Sequence, residues 1–338
     1  MRVEKYFRFV GRIFANVCLS SLVLTANVQA KDADKAGFAG IEYYGSSQIT
    51  KLELQKMLGL RTGASPEAIE NALLRLKKQL DARHIDAHAE VVTASPGVLY
   101  VVVDVSDSSV EEAPTRRLKM PHHVNVRTEK PFLLLQDLNN RLDDLRNQGR
   151  PATESLKDGY KYYSDEPADQ VVTEILKYAP VMRDELIAVT ESDPNPIRRS
   201  QAIDLLGWSG TTDDTAMRLM PALDDMDPFV RASVARYLFP RLSLLSAQFP
   251  FENLAQAFSR QITRPSHEDR SKGLYCLLSL CLQHRELVKP IAEADEKCIR
   301  DLADTTTLPS VKTPADKLLA MFAEDANKRQ QTNLPWMR

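Results

Sequence analysis

The sequence predicts a two-domain α+β protein in which a small β-α-α-β-β module precedes an α-helical array. Residues 87–93 and 98–105 alternate between two sets of side chains, which is typical of the strands of a hairpin. Residues 171–326 contain a pattern that recurs after 33 residues, which is typical of stacked helical pairs. The 338 residues are 27% charged and 43% hydrophobic, an ordinary globular balance. The formal net charge of −2 provides no electrostatic argument for binding nucleic acid.

The first thirty residues have the organisation of a secretory signal peptide. A basic segment at residues 2–12 precedes an apolar run at 13–26, and residues 28–30 supply the small side chains of a cleavage site. The apolar run is shorter than the roughly 20 residues that span a bilayer. Residues 1–30 are therefore expected to be removed after Ala30, which leaves a periplasmic protein with no membrane span in the mature chain. An uncleaved anchor is the alternative.

Local signals define the module at residues 38–106. Thr50 and Glu53 have the spacing of a capping box for a first helix. Ser65-Pro66 supplies the cap and the first residue of a second helix, which carries apolar residues at helical spacing. The two alternating strands then follow around a Ser-Pro-Gly turn.

The β-α-α-β-β order, the glycine after the first strand and the break between Gly59 and Gly63 resemble a POTRA (polypeptide-transport-associated) domain. Such domains bind an extended segment of another protein along an exposed strand edge, through main-chain hydrogen bonds. The resemblance therefore implies a partner-binding edge on the second strand, formed by Ala87, His88, Ala89, Glu90, Val91, Val92 and Thr93. An edge that is blunted by polar side chains and left unused is the alternative.

Two segments separate this module from the helical array. Residues 107–131 have the composition of a linker. Their basic residues, from Arg116 to Lys130, are interpreted as a solvated connector, because no aromatic residues interleave with them as in a nucleic-acid-binding surface. Residues 132–170 are expected to form a helical connector, since apolar residues recur at helical spacing after Phe132.

The array at residues 171–326 contains two copies that match at the 33-residue offset. The matched residues of the two copies are Arg198, Ala202 and Leu205, and then Arg231, Ala235 and Leu238. The dipeptides Asp193-Pro194 and Asp227-Pro228 are interpreted as the starts of the second helices. The pattern resembles HEAT repeats, whose stacked helical pairs offer a curved surface to other proteins. We expect Arg198 and Arg231 to bridge repeats by contacting aspartates, and residues 327–338 to form a loose tail.

No catalytic constellation is recognisable in the sequence. The glycines at 40 and 45 are not followed by the lysine of a phosphate-binding loop. His84 and His88 are four residues apart, but they fall at the end of a helix and the start of a strand, where this spacing does not bring two ligands together. We therefore predict no catalytic residues, no bound metal and no cofactor.

Three cysteines, Cys276, Cys281 and Cys298, follow the signal peptide. The first two are separated by about 140° around one helix and should not pair. An antiparallel helical hairpin that turns near Lys289 would place Cys281 opposite Cys298, which makes these two the disulfide candidates. Three packed core thiols are the alternative.

These features favour a non-catalytic periplasmic adaptor or scaffold whose partners are other envelope proteins. The strand edge would capture an extended segment, and the helical array would dock a protein surface. Two alternatives stay open: an envelope enzyme with a pocket at the junction of the two halves, and a structural subunit of a secretion or envelope complex.

Export with cleavage after Ala30 is the first testable prediction. The basic, apolar and small-residue segments follow one another in the order that signal peptidase substrates require. N-terminal sequencing of the chain recovered from the periplasmic fraction should begin at Lys31. A recovered chain that begins at Met1 would show that the segment is retained.

Overall fold

The computed structural model describes residues 37–332 apart from 46–47, 96, 106–114, 117, 119–120, 149 and 211. The predicted signal peptide, residues 1–30, and the last six residues of the predicted tail lie outside the described part. The fold is mixed α+β and mostly helical. Each helix of the described residues is too short or too polar to cross a membrane.

The chain divides into two compact units, and the division differs from the one expected from sequence. The first unit comprises the described residues of Met1–Glu111 and Thr128–Pro180. The second comprises those of Glu112–Arg127 and Val181–Arg338. The described residues of 115–127, in the central part of the predicted linker at 107–131, are grouped with the second unit. The predicted connector at 132–170 belongs to the first unit and not to a separate segment.

The first unit begins with the predicted β-α-α-β-β order. Its elements are β1 (Gly37–Gly45), α1 (Lys51–Leu58), α2 (Pro66–Ala82), β2 (Ala87–Ser95) and β3 (Val98–Val105). The strands form one sheet in the order β1-β3-β2, with β1 parallel and β2 antiparallel to β3. One face of this sheet packs with α1 and α2 around a core that includes Leu54, Leu76 and Val103.

Local capping explains where the two helices of this module begin and end. Thr50 and Glu53 make the predicted capping box, in which each side chain accepts the other residue's backbone N–H. Gly59 ends α1 in the left-handed conformation, with φ of 62°, which glycine adopts without steric cost. Ser65 caps α2, and Pro66 occupies its first position, where a missing N–H costs nothing.

The rest of the first unit is not purely helical as predicted. It contains α3 (Lys130–Asn147), β4 (Glu154–Lys157), β5 (Tyr160–Tyr163) and α4 (Glu166–Ile175). The strands β4 and β5 form a hairpin around Asp158 and Gly159, whose φ values of 53° and 83° suit an Asp-Gly turn. Arg141 on α3 donates two hydrogen bonds of 2.8 Å to Asp165, the cap of α4. This contact lowers the pKa of Asp165.

The second unit is built from helices joined by short turns and 3₁₀ segments. Its helices are α5 (Arg183–Ser192), α6 (Pro196–Leu206), α7 (Asp213–Leu219), α8 (Pro228–Leu238), α9 (Phe251–Ile262), α10 (His267–Gln283), α11 (Val288–Thr305) and α12 (Pro309–Thr332). The last of these continues through Thr332, so the tail predicted from residue 327 is wrong for its first six residues.

These helices stack as successive pairs in two layers. Within pairs, α5 packs on α6, α9 on α10 and α11 on α12, while α8 packs on the 3₁₀ segment Met220–Asp224 that extends α7. Between pairs, α6, α8, α10 and α12 follow one another in one layer. Each pair therefore buries its apolar side against its neighbours, which is how helical arrays obtain a continuous core.

The pH dependence of stability should depend on His267, the first residue of α10, which is 2% exposed. Burial, aided by Lys272 and Arg270, lowers the pKa of His267 to about 3, against about 6.5 in an unfolded chain. Between these values the unfolded state binds a proton that the folded state does not. The free energy of unfolding should therefore fall as pH decreases below 6.5, by up to about 1.4 kcal/mol per pH unit.

Urea unfolding between pH 7 and pH 4.5 measures this slope. His267→Gln should make the pH dependence shallower by about one proton. Equal slopes in the wild type and in His267→Gln would contradict the prediction.

Candidate functional site

The second helices α6 and α8 begin with the same turn. Asn195 and Asp227 cap them, each accepting the backbone N–H two residues on, and a proline follows each cap. Two residues before each cap lies an aspartate, Asp193 or Asp225, that is only 1% exposed. Its carboxylate accepts the backbone N–H of the cap residue, at 2.9 Å and 3.0 Å respectively. The turn therefore places a buried carboxylate at the same point of both helical pairs.

An arginine six residues after each aspartate connects one turn to the next. Arg199 donates to the carbonyl oxygen of Asp193 at 2.9 Å and to the carboxylate of Asp225 at 2.6 Å. Arg231 donates to the carbonyl oxygen of Asp225 at 2.7 Å and to the carboxylate of Asp269 at 3.0 Å. All five residues are buried, and a buried charge is tolerated when it is paired. We call the series Asp193–Arg199–Asp225–Arg231–Asp269 the Asp–Arg ladder.

The third turn has the same contact between an arginine and a carbonyl oxygen six residues earlier, but a positively charged residue replaces the aspartate. Ser266 caps α10, and Arg270 donates to the carbonyl oxygen of Arg264, again six residues earlier, at 2.6 Å. Arg264 thus stands where the first two turns have an aspartate, and its guanidinium contacts Asp224 at 3.1 Å. Burial lowers the pKa of Arg264, and the neighbouring Arg231 lowers it further. We call the turns at Asp193 and Asp225 the acid turns.

The ladder corrects the repeat offset that the sequence suggested. Helices α6 and α8 match at 32 residues, because Pro196 and Pro228 are both first residues and Asp193-Pro194 precedes the helix start. Arg231 contacts an aspartate of the next pair as expected, but Arg198 does not. It contacts Asp193 of its own turn, at 3.2 Å.

Arg199, Asp193 and Asp225 were not identified as members of one repeating set, although the sequence contains the pattern. At an offset of 32, three features align at once: the aspartates, the prolines and the ladder arginines. The remaining predicted repeat residues are all buried in the helical core, and they are Ala202, Leu205, Ala235 and Leu238. At the corrected offset, Ala202 matches Val234 rather than Ala235.

An extended segment of the chain lies along the acid turns. We call residues 115–127 the docked segment, of which 117 and 119–120 lie outside the described part. Arg116 forms a parallel bridge with Asp225, and its backbone N–H donates to the carbonyl oxygen of Asp224. The Arg116 guanidinium donates to the carbonyl oxygen of Thr190 at 3.0 Å and contacts the Asp225 carboxylate at 3.4 Å.

Further contacts tie the same segment to the first acid turn and to α5. The backbone N–H of His122 donates to Ser192 at 3.1 Å, and that of Val124 donates to the Asp193 carboxylate at 3.3 Å. Arg198 donates to the carbonyl oxygen of Val124 at 3.2 Å. Arg127 donates its backbone N–H to Glu185 at 2.7 Å, and its guanidinium contacts the same carboxylate.

The prediction of a solvated connector is therefore wrong for Arg116, whose half-buried guanidinium contacts Asp225 of an acid turn. Arg127 is exposed, and its guanidinium contacts Glu185 on α5. Burial lowers the pKa of Arg116, while Asp225 favours its charged form. The contacts between this segment and the turns span up to 109 residues of chain, which no local pattern reveals.

A cavity of about 320 Å³ lies beside Arg116. Its charged lining is Arg116, Arg199, Asp225 and Asp227, and its apolar lining is Leu118, Pro194, Pro196, Met226 and Pro228. Burial raises the pKa of the Asp227 carboxyl. The lining residues that the structure describes therefore offer charge pairing and apolar contact.

The predicted partner-binding residues lie on β2, which is an edge strand in the described sheet. Ala87, Ala89 and Val91 pack against the core of the first unit. His88 and Thr93 are exposed, while Glu90 and Val92 are half-buried.

The disulfide candidates are free thiols, as is Cys276. The predicted hairpin is wrong because α10 and α11 belong to different helical pairs. The helix that carries Cys281 packs on α9, and the helix that carries Cys298 packs on α12. Burial raises the pKa of Cys281 to about 12, so this thiol stays protonated near neutral pH.

Comparisons of the chain with protein-family models, with curated proteins and with solved structures find no match.

The ladder predicts a large difference between two arginine substitutions. Arg199→Ala leaves the buried Asp225 without its closest cation and should lower the free energy of unfolding by about 3–5 kcal/mol. Arg218→Ala is the matched control, because Arg218 contacts Glu191 at 3.1 Å with both side chains more than a third exposed. It should cost less than about 1 kcal/mol. Urea unfolding checks both values, and equal losses would contradict a buried ladder.

Proposed function

We propose that the chain is an exported, non-catalytic adaptor that binds other proteins of the bacterial envelope. In this proposal the first unit is POTRA-like and captures an extended segment along β2. The second unit is HEAT-like and docks a protein on its helices. The observation that carries the proposal is the position of β2 at the edge of the sheet, with β3 on one side of it.

The chemistry of β2 suits the addition of a strand. The strand has nine residues, Ala87–Ser95, and is regular in its pairing with β3 up to Thr93. Edge strands that are protected from pairing are commonly short, charged or bulged, or contain proline. This one has nine residues and contains no lysine or proline, its Glu90 is half-buried, and its register shift lies beyond Thr93. A partner strand would gain main-chain hydrogen bonds with little demand on its side chains, as in other cases of strand addition.

The second unit supports the docking part of the proposal in a different way. The helical pairs expose a row of turns, and the docked segment shows that these turns accept an extended chain through backbone and side-chain hydrogen bonds. The ladder holds successive turns in register, as buried arginine and aspartate pairs would in a HEAT-like array. The exported location rests on the predicted signal peptide.

Site-specific photo-crosslinking of the full chain in cells tests the role of β2. Probes at His88 and Thr93 are exposed on the edge strand that the proposed partner strand would join, and probes at Glu67 and Lys78, exposed on α2, serve as controls. We expect the β2 probes to give one recurring crosslinked envelope protein and the α2 probes to give none. Thr93→Lys should lower the yield of crosslinked product from the probe at His88, because a lysine on an edge strand disfavours pairing with another strand.

Two outcomes would contradict the proposal. One is equal crosslinking from β2 and α2. The other is the absence of any product from both β2 positions in cells that contain the folded chain.

A further inference from the structure

The docked segment is held mainly by polar contacts and buries few apolar side chains. Val124 is 9% exposed, whereas the side chains of Pro121, His122, His123 and Asn125 are exposed. The contacts of Arg127 with Glu185 are exposed, where water offers the same groups competing partners, whereas those of Arg116 and Val124 are part-buried or buried. A segment held in this way belongs to the least stable parts of a folded protein and can leave without unfolding the helices beneath it.

The surface under the segment presents mainly hydrogen-bond acceptors, and its two aspartates also pair with Arg198 and Arg199. We call this surface the acid-turn groove. It presents the carboxylates of Glu185, Asp193 and Asp225 and the carbonyl oxygens of Thr190, Ser192 and Asp224. All six groups are hydrogen-bond acceptors, and the segment donates to them from two guanidiniums and four backbone N–H groups. At the third turn, Arg264 replaces the aspartate, so the acidic character extends over two turns.

The cavity beside Arg116 adds an apolar element to the groove. Met226 is 64% exposed at its rim, and Pro194, Pro196 and Pro228 line it. A volume of about 320 Å³ beside a cation site accommodates an apolar side chain that neighbours an arginine in an extended chain. Leu118, two residues after Arg116, already occupies part of this lining.

We propose that the acid-turn groove is a binding site for an extended basic segment of a partner protein, and that residues 115–127 occupy the groove in the partner's absence. This inference rests on the proposed function and deepens it, because it names a class of partner for the second unit. The preferred ligand has an arginine beside an apolar residue and a second arginine about eleven positions later, as Arg116 and Arg127 do.

The affinity of the wild-type chain for an external peptide depends on competition with its own docked segment. A tethered occupant has an effective concentration in the millimolar range, so an external segment of the same chemistry binds weakly to the wild-type chain. Removing the two guanidiniums from the internal segment should expose the groove. The external segment then binds more tightly although the groove itself is unchanged.

Fluorescence anisotropy with a labelled synthetic peptide tests the proposal. The peptide copies residues 115–127, and the proteins are the full mature chain and its variant Arg116→Ala/Arg127→Ala. We expect the variant to bind the peptide at least about tenfold more tightly than the wild type does. A peptide in which the arginines are replaced by glutamate should not bind. Adding Glu185→Gln to the variant should weaken binding about threefold to fivefold, as expected for one partly exposed ion pair.

Hydrogen exchange resolved by segment provides the control for folding. The variant should keep the wild-type protection of α6 and α8. If it does not, the single variant Arg127→Ala is used in place of the double variant.

In the wild type, the amides of His122, Val124 and Arg127 should exchange faster than those of α8. Exchange of the docked segment only with global unfolding would overturn the proposal. A folded variant that does not bind the peptide, or that binds the glutamate peptide equally well, would also overturn the proposal. These results do not change the crosslinking expected at β2. The proposal for the acid-turn groove and the proposal for β2 can therefore be contradicted independently of each other.

Discussion

The buried carboxylate of Asp225 is the contact on which the second unit depends. It accepts from Arg199 at 2.6 Å and from the backbone N–H of Asp227 at 3.0 Å, and it contacts Arg116 at 3.4 Å. One side chain therefore joins a helix of the preceding pair, the start of its own second helix and an extended segment from elsewhere in the chain. An isolated buried charge costs several kcal/mol, so the contact between Arg199 and Asp225 constrains the two helical pairs to remain together.

The ladder also contains two of the carboxylates that the docked segment contacts. The carboxylates of Asp193 and Asp225 each accept a backbone N–H of their own acid turn and also contact the docked segment. The helices alone therefore do not supply all the contacts of either carboxylate. Arg264 occupies the corresponding position in the third pair and contacts Asp224 instead. A single change of charge in a repeated turn thus separates the acidic surface from the rest of the array without any change in the helical packing.

Both proposed binding surfaces use the main chain as a recognition element. At β2 the edge of a sheet supplies backbone groups in a regular row. In the acid-turn groove, carbonyl oxygens and carboxylates accept from a chain that forms a single bridge rather than a strand. Binding of this kind tolerates variation in the partner's side chains, and charge supplies the discrimination in the second case. This combination suits an adaptor with extended ligands.

Sequence alone determined the features that depend on neighbouring residues. The capping box at Thr50, the cap at Ser65 and the two strands of the hairpin follow from residues within a few positions of one another, and the structure confirms them. The tertiary structure decided the features that depend on distant partners. These are the 32-residue offset marked by Arg199, the docking of Arg116 and the separation of the helices that carry the candidate cysteines. In each case the deciding contact lies outside the local pattern, and the burial of charge and the stacking of helical pairs select among arrangements that local propensity leaves equivalent.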